Sequence, residues 1–304
     1  MSFEGTKEKM SDYVLSCCTP ADTNRAWAKA HRIATVPFHF QIGEEAYIDD
    51  FWTSMKPEEM YARMLEGEDS KTSQVSVGEY TEHFKAHLDA GKDILHLTLS
   101  SGISGTINSA LLAAEDLREL YPDRKIYVVD SLAASAGFGL LMHVLAEKRD
   151  EGMGIDELKA YAETHRLEVN HWFFTSDLTF FIKGGRVSKT AGFFGNLLNI
   201  CPLLNVDFKG RLIPREKIRT KKKVINRTVE KMEELALNGH DYDGPCYISQ
   251  SACLADASAV KDLIEERFPK LTGKVEIFPI GPTIGCHTGP GTVALFFLGS
   301  ERVD

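Results

Sequence analysis

The sequence predicts an α/β protein of two domains, the first built on a parallel sheet and the second on a mixed, largely antiparallel sheet with helices. In the first half, apolar runs typical of buried strands alternate with helical spacing, an order that implies right-handed crossovers between parallel strands. After about residue 150 the strands are separated by turns rather than by regular helices. The 304 residues are enough for two domains, which we place at residues 1–165 and 166–304.

The predicted elements of the first domain follow in order along the chain. Strands are expected at residues 12–17, 33–40, 94–99 and 125–130, and helices at 24–31, 107–120 and 135–148. Residues 49–67 carry apolar side chains that suit a helix laid over the domain. Residues 71–80, KTSQVSVGEY, indicate a hydroxyl-rich loop before a further helix. That helix holds His83 and His87, but without the glutamate of H-E-x-x-H an amphipathic helix is favoured over a metal site.

We expect the ligand at residues 97–110, LTLSSGISGTINSA, where a buried strand turns into a helix. Gly102 and Gly105 allow the backbone to bend tightly and approach a ligand, and the N–H groups at the start of the helix favour an anion. The serines here, Ser104 among them, are equally well explained as helix caps. The stretch also resembles a nucleophile elbow, but Thr106 stands where G-x-S-x-G requires glycine.

The second domain follows a helix predicted at residues 155–166. Its strands are expected at residues 171–176, 203–208, 211–216, 246–250, 274–280 and 292–298, with helices at 222–238 and 254–268 over one face. Lys209-Gly210 has the composition of a hairpin turn.

Two further segments of this domain are unusual in composition. Residues 178–204 are rich in Phe, Leu and Ile but interrupted by glycines, which is typical of core and also fits the walls of an apolar ligand site. Residues 281–291, GPTIGCHTGPG, indicate a glycine loop with His287 as its titratable side chain. Taken alone, His287 is typical of a surface or locally bonded histidine.

The composition argues against several classes of function. A formal net charge of −9 disfavours a nucleic-acid-binding protein, which needs a basic face. No run of about eighteen apolar residues occurs and the amino end lacks a hydrophobic region, so we expect a cytoplasmic protein. The six cysteines show no C-x-x-C spacing, and no P-loop is present, so we expect neither a metal nor another cofactor.

Six motifs together resemble the DegV family, which includes the fatty-acid-binding subunits of the bacterial fatty acid kinase system. They are Thr72-Ser73-Gln74, SSGISGT at 100–106, Asp130-Ser131, KGGRVSK at 183–189, LLNICPLL at 197–204 and GCHTGPG at 285–291. Each motif is weak alone, but their order and their spread over the chain make the resemblance specific. One departure is the first loop, SCCTPAD at 16–22, where the family usually has D-S-T-A-D.

The resemblance implies a long-chain fatty acid in a tunnel between the domains, with its carboxylate held by a threonine, a serine and a histidine. In this chain these residues are Thr72, Ser104 and His287, with Ser73 as a neighbouring donor and backbone N–H groups near Gly105. Hydroxyl donors leave a carboxylate oxygen able to attack a phosphate, and His287 would orient the carboxylate or, if protonated, balance its charge. The partner fatty acid kinase would bring ATP and magnesium, so we expect no catalytic residue in this chain.

The resemblance also assigns kinase docking to Arg219, which lies in a basic run from Lys209 to Lys223. A solvated hairpin and helix start explains such a run equally well, and transient contact with anionic lipid headgroups is a further expectation. Two other functions stay open. One is a lipid carrier or sensor without a kinase, and the other is a hydrolase with Ser104 as nucleophile and His287 as base.

Overall fold

The computed structural model describes residues 13–188 and 200–303. The strands are β1 Tyr13–Cys18, β2 Ile33–Val36, β3 His39–Ile42, β4 Glu45–Ile48, β5 Ser70–Ser73, β6 Asp93–Thr98, β7 Ile126–Asp130, β8 Val169–Thr175, β9 Ile200–Val206, β10 Leu212–Arg219, β11 Cys246–Gln250, β12 Glu276–Pro279 and β13 Thr292–Leu298. The α-helices are α1 Arg25–Ala30, α2 Pro57–Leu65, α3 Val77–Asp89, α4 Thr106–Leu120, α5 Ser135–Asp150, α6 Ile155–His165, α7 Thr179–Lys183, α8 Lys221–Leu235, α9 Leu254–Arg267 and α10 Pro282–Thr288.

A parallel sheet in the order β2-β1-β6-β7 forms the centre of the first half. Its strands are buried because α3 and α4 pack together on it and α6 packs against β6 and β7. The parallel sheet predicted from the alternation of strands and helices is therefore confirmed. The carboxyl ends of β1, β6 and β7 share one edge, which is where ligands of such sheets bind.

The second sheet has the order β10-β9-β8-β13-β11-β12 and is antiparallel except for the parallel pair β11–β12. Successive side chains of a strand point to opposite faces. On β13, Ala294 and Phe296 therefore join the core shared with the first sheet, whereas Leu295 and Phe297 join a separate core with α8 and α9. This arrangement confirms the predicted mixed sheet, and Gly210, with a φ of 71°, forms the expected turn between β9 and β10.

A small antiparallel sheet, β4-β3-β5, departs from the prediction. The single strand expected at residues 33–40 divides at Pro37, because proline has no N–H for the ladder, and the chain then enters β3 in a different sheet. The start of the expected loop at residues 71–80 is likewise strand β5, in which Thr72 lies opposite Phe40. Thr72 is thus held on a paired strand.

Two helical segments also differ from the prediction. The helix expected at residues 49–67 covers only α2, because Phe51 and Trp52 have φ values of 60° and 63°, which a right-handed helix cannot contain. The glycine loop expected at 281–291 contains α10, which starts at Pro282, a position where the missing N–H costs nothing, and ends before Gly289 with a φ of 63°.

Part of the apolar segment at residues 178–204 forms α7 and β9. Residues 189–199 lie outside the described residues, and with them Phe193, Phe194, Leu197, Leu198 and parts of two DegV-like motifs.

Within the described ranges, no helix has the length and apolar character needed to cross a membrane. In the same ranges, no group of three or more His, Cys, Asp and Glu side chains is arranged to hold a metal ion, and all six cysteines are free thiols.

Candidate functional site

A cavity between the two large sheets brings together three of the predicted site residues. Its empty space, part of which is open to solvent, is about 730 Å³, and Thr72, Ser104 and His287 all line it. Most of its other walls are aliphatic or aromatic, and they include Phe38, Leu99, Ile103, Phe173, Phe181, Val206, Leu212, Ile284 and Phe296. A mostly apolar cavity with a few convergent polar groups is the usual form of a small-molecule site.

Strand β5 and helix α10 build the polar end of this cavity. Thr72 Oγ1 and His287 Nε2 are 2.7 Å apart and share a hydrogen bond. One residue earlier in α10, the Cys286 carbonyl accepts a hydrogen bond from Ser70 Oγ at 2.9 Å. Cys286 also packs into a small core with Phe40 of the neighbouring strand. These contacts fix the threonine hydroxyl beside the imidazole.

The proton of His287 can be placed by elimination. His287 Nδ1 is buried, lies against Gly184 and has no hydrogen-bond partner among residues 13–188 and 200–303. A buried N–H without an acceptor is costly, so the favoured neutral form carries its proton on Nε2 and donates it to Thr72 Oγ1. The Thr72 O–H is then left to donate into the cavity.

The charge of His287 follows from its surroundings. Burial, together with the nearby positive charge of Arg186, lowers the pKa of His287 from 6.5 to about 4. The imidazole is therefore neutral at pH 7 in this structure. The neutral ring holds the Thr72 hydroxyl. Both roles predicted for His287 toward a bound carboxylate, to orient it or, if protonated, to balance its charge, stay predictions.

Ser104 stands one residue before Gly105, the N-cap of α4, so it is not itself the helix cap weighed from the sequence. Its Oγ accepts a hydrogen bond from the Thr106 N–H at 3.3 Å, which helps to begin α4. The same side chain lines the cavity. A hydroxyl that accepts one hydrogen bond through its oxygen still has its O–H to donate, so the local bond leaves Ser104 able to bind an anion.

Gly102 has a different use from the one expected. A Cβ on Gly102 would lie 2.5 Å from the carbonyl oxygens of Lys209 and Gly210, in the β9–β10 turn. Ser100 Oγ donates to the same Gly210 carbonyl at 2.8 Å. The glycine therefore permits close contact between the two sheets' edges rather than the approach of a ligand.

Arg186 is a cavity-lining cation that the sequence analysis did not single out. Its Nε donates to the Ile103 carbonyl at 3.3 Å and its Nη1 to the Gly184 carbonyl at 2.6 Å. No carboxylate in the described part of the chain pairs with it, and burial lowers its pKa. A half-buried guanidinium bonded only to neutral carbonyls favours an anion nearby. In the sequence, the only indication of this role was the single arginine of the K-G-G-R motif.

Two predicted donors lie outside the cavity lining. Ser73 follows Thr72 on β5, points to the opposite face and is exposed. Gly105 precedes α4, and the amide oxygen of Gln74 would be 3.0 Å from a Cβ on this glycine. The structure brings neither of them to the cavity with Thr72, Ser104 and His287.

The divergent first loop reaches the cavity wall through Asp22. This carboxylate, 2% exposed, accepts a hydrogen bond from Ser135 Oγ at 2.5 Å. Asp49 likewise accepts from Thr283 Oγ1 at 2.5 Å, and burial raises the pKa of Asp49 to about 6. Ser135 and Thr283 both line the cavity. Their hydroxyls donate to the buried carboxyl groups, so this part of the wall offers a ligand mainly carbon.

Arg219 is exposed at the end of β10, and no carboxylate of the described residues pairs with it. Other members of the basic run are partly neutralised. Arg211 pairs with Asp207 at 2.6 Å, and Lys221 pairs with Asp256 at 2.6 Å. The surface therefore carries less free positive charge than the sequence indicated.

The geometry does not assemble a serine hydrolase. The hydrogen bond of His287 goes to Thr72 rather than to Ser104. Among the described residues, no carboxylate holds His287 Nδ1 as the third member of a triad would.

Comparisons with known proteins show the family and the fold of this chain. A family model described as an uncharacterised protein of the DegV family matches residues 19–300. A protein of Thermotoga maritima named a fatty acid-binding protein is 34% identical over 291 residues, covering 93% of this chain and 96% of its own.

Two solved structures share the fold over nearly the whole chain. A DegV family protein of Thermus thermophilus, described by its fatty acid binding, has a TM-score of 0.83 at 25% identity and covers 94% of this chain and 99% of its own. The fatty acid kinase B3 protein of Streptococcus pneumoniae, loaded with linoleic acid, has a TM-score of 0.81 at 23% identity, with 96% and 100% covered. Because the family model spans almost the full length, this chain belongs to the DegV family.

Proposed function

We propose that this protein binds a long-chain fatty acid, buries the acyl chain in the cavity and presents the carboxylate to a partner fatty acid kinase. The observation that carries the proposal is the division of one cavity into an apolar part and a polar end with Thr72, Ser104, His287 and Arg186. The fatty acid binding named for the relatives from Thermotoga maritima and Thermus thermophilus supports the same ligand class.

The apolar walls account for binding of the chain. Each buried methylene contributes about 0.8 kcal/mol, so a long acyl chain offers on the order of 10 kcal/mol before the costs of association. Two wall hydroxyls, those of Ser135 and Thr283, donate to Asp22 and Asp49 and so need no polar partner on the ligand. The walls thus favour a mainly hydrocarbon chain.

The polar end accounts for the carboxylate. A buried anion needs hydrogen-bond donors or a countercharge. The Thr72 O–H is free to donate because His287 donates to its oxygen. The Ser104 hydroxyl is the second donor of the site, and Arg186 adds positive charge. Two nitrogens of Arg186 already donate to backbone carbonyls, so its contribution is chiefly electrostatic.

The phosphorylation step is assigned to the partner. Neutral hydroxyl donors leave the carboxylate nucleophilic enough to attack a γ-phosphate, whereas a full bidentate clamp would stabilise the ground state. The chain itself would supply no catalytic residue, and the kinase would bring ATP and magnesium. Arg219, exposed at the end of β10, is the residue we assign to docking.

The test combines fatty acid titration with turnover by a cognate kinase and ATP. Wild type should bind the fatty acid and support acyl phosphate formation. Arg219→Ala should bind normally but reduce turnover, and Lys29→Ala, which removes an exposed cation of α1, should change neither. Binding with no turnover by any cognate kinase would instead support a carrier or sensor. Absence of binding, or a burst of acylation at Ser104 with an activated ester, would contradict the proposal.

A further inference from the structure

The cavity follows one face of the second sheet. On β13, Thr292, Ala294 and Phe296 line it, which are alternate residues and therefore share a face. Thr292 is the first residue of the strand and follows α10 closely, whereas Phe296 lies four residues further, about 13 Å along the strand. The cavity thus extends along β13, away from the helix that carries His287.

An aromatic pair stands at this second end of the cavity. His171 on β8 and Phe296 on β13 are direct partners in the strand register. Their ring centroids are 5.3 Å apart at an angle of 88°, the edge-to-face geometry that aromatic rings favour. The side chains belong to residues only 1% and 2% exposed, so the two rings form one fixed surface.

His171 is held in a way that makes it an aromatic wall rather than a polar one. Its Nε2 accepts a hydrogen bond from the Ala134 N–H at 3.3 Å, which places the ring proton on Nδ1, and Nδ1 donates to the Val169 carbonyl at 2.9 Å. Both nitrogens are therefore used by the backbone. Burial also holds the pKa of His171 well below 6.5, so the ring is uncharged.

Helix α5 packs against the His171 and Phe296 rings and prevents them from moving away from the cavity. Gly137 faces both rings, and a Cβ at this position would overlap His171 Nε2 and lie 2.6 Å from Phe296 Cδ1. The helix backbone therefore stands directly against the two rings. Adding even one methyl group to Gly137 would force the rings to shift.

We infer that the His171–Phe296 pair, supported by Gly137, is the stop that sets the longest acyl chain this protein accepts. The inference rests on the proposed function and adds to it the residues that determine chain-length specificity. Shortening Phe296 lengthens the apolar cavity, and crowding the pair from behind shortens it.

The experiment offers the protein an equimolar mixture of saturated fatty acids from about 12 to 22 carbons, and native mass spectrometry identifies those bound. Phe296→Leu should move the preferred length upward by about two carbons. Since each methylene is worth about 0.8 kcal/mol, the ratio of the longer acid to the one preferred by wild type should rise about tenfold. Gly137→Ala should shift the preference to shorter chains, and it tests the inference independently if Phe296→Leu does not fold.

Phe297→Leu is the matched control, because Phe297 is the next residue of β13, fully buried in the other core. It should destabilise the protein without changing the length preference. An unchanged length distribution in folded Phe296→Leu or Gly137→Ala, with fatty acid still bound, would overturn the inference alone. A wild type that takes up no fatty acid from the mixture would overturn the proposed function as well.

Discussion

At the scale of single residues, the proposed carboxylate site depends most on the Thr72 hydroxyl. Thr72→Val keeps the shape of the side chain and removes only the hydroxyl. Because a hydrogen bond to a charged group contributes about 1.5 to 3 kcal/mol, affinity for a long-chain fatty acid should fall roughly tenfold to a hundredfold. Titration calorimetry measures the change, and Ser73→Ala, which removes the adjacent but exposed hydroxyl, should leave affinity unaltered.

Arg186 should influence both the ligand and His287. Arg186→Met removes a cation that contributes to the low pKa of His287, so that pKa should rise, although burial, the larger cause, remains. Fatty acid affinity should fall because the countercharge is lost. Titration of His287 by NMR and a binding isotherm report the two effects.

Lys183→Met is the control for Arg186, since Lys183 is exposed on α7 and pairs with Asp69 at 2.6 Å outside the cavity. Unchanged affinity and an unchanged His287 titration in Arg186→Met would argue against a role for Arg186 at the carboxylate.

Only some of the residues that line the candidate site could be predicted from the sequence. Thr72, Ser104 and His287 were predicted through family motifs, and the structure brings them to one cavity although they are far apart in the chain. Ser73 lies outside the cavity because Thr72 and Ser73 are consecutive residues of a strand, where side chains point alternately to opposite faces. The loop predicted from the sequence would not have required this alternation. Arg186 was missed because its importance comes from the carbonyls and cavity around it, which a single arginine in a motif does not reveal.

At the scale of elements, a chain of hydrogen bonds ties α3 to the parallel sheet. Ser16 Oγ on β1 lies 2.6 Å from His83 Nε2 and 2.9 Å from His96 Nδ1. His96 Nε2 is buried and unpartnered among the described residues. Nδ1 of His96 therefore carries the proton and donates to Ser16, which in turn donates to His83. Protonating His83 at Nε2 would break this order.

The hydrogen bonds among Ser16, His83 and His96 predict a loss of stability in mild acid. Burial lowers the pKa of His83 from 6.5 to about 4 and holds the pKa of His96 well below 6.5. Between pH 6.5 and 4 these two histidines therefore bind more protons in the unfolded state than in the native state, and their contribution to the free energy of unfolding falls as the pH falls. His83 alone should account for on the order of 2 kcal/mol.

Urea denaturation from pH 7.5 to 4.5 measures this dependence. His83→Gln should make the free energy of unfolding depend less steeply on pH than in wild type. An equally steep dependence in the variant would show that other groups are responsible.

Elements with strong apolar periodicity were predictable, and those fixed by their surroundings were not. Strands β11 and β13 occur at the predicted residues because short, continuous apolar runs are typical of buried strands. Strand β5, with the sequence SKTS and alternate exposure, has no apolar signal, and its pairing with β3 decides its conformation. Helix α10 was not predicted because the glycines within it and at its ends are typical of a loop.

At the scale of the whole molecule, one core crosses the predicted domain boundary. Leu97 and Phe138 from the first half belong to the same buried cluster as Phe173 and Phe296 from the second. Helix α5 packs against β8, β11 and β13. We therefore expect one cooperative unfolding transition, with calorimetric and van't Hoff enthalpies that agree. Two separate transitions in a calorimetric scan would show instead that residues 1–165 and 166–304 unfold independently.

Native mass spectrometry of the protein as purified from cells, with lipid extraction of the same sample, tests the central claim most directly. We expect part of the protein to carry a mass excess equal to one long-chain fatty acid, and we expect this fraction to be smaller in Thr72→Val and unchanged in Ser73→Ala. A wild-type protein that shows only the mass of its own chain, both as purified and after incubation with long-chain fatty acids, would contradict it.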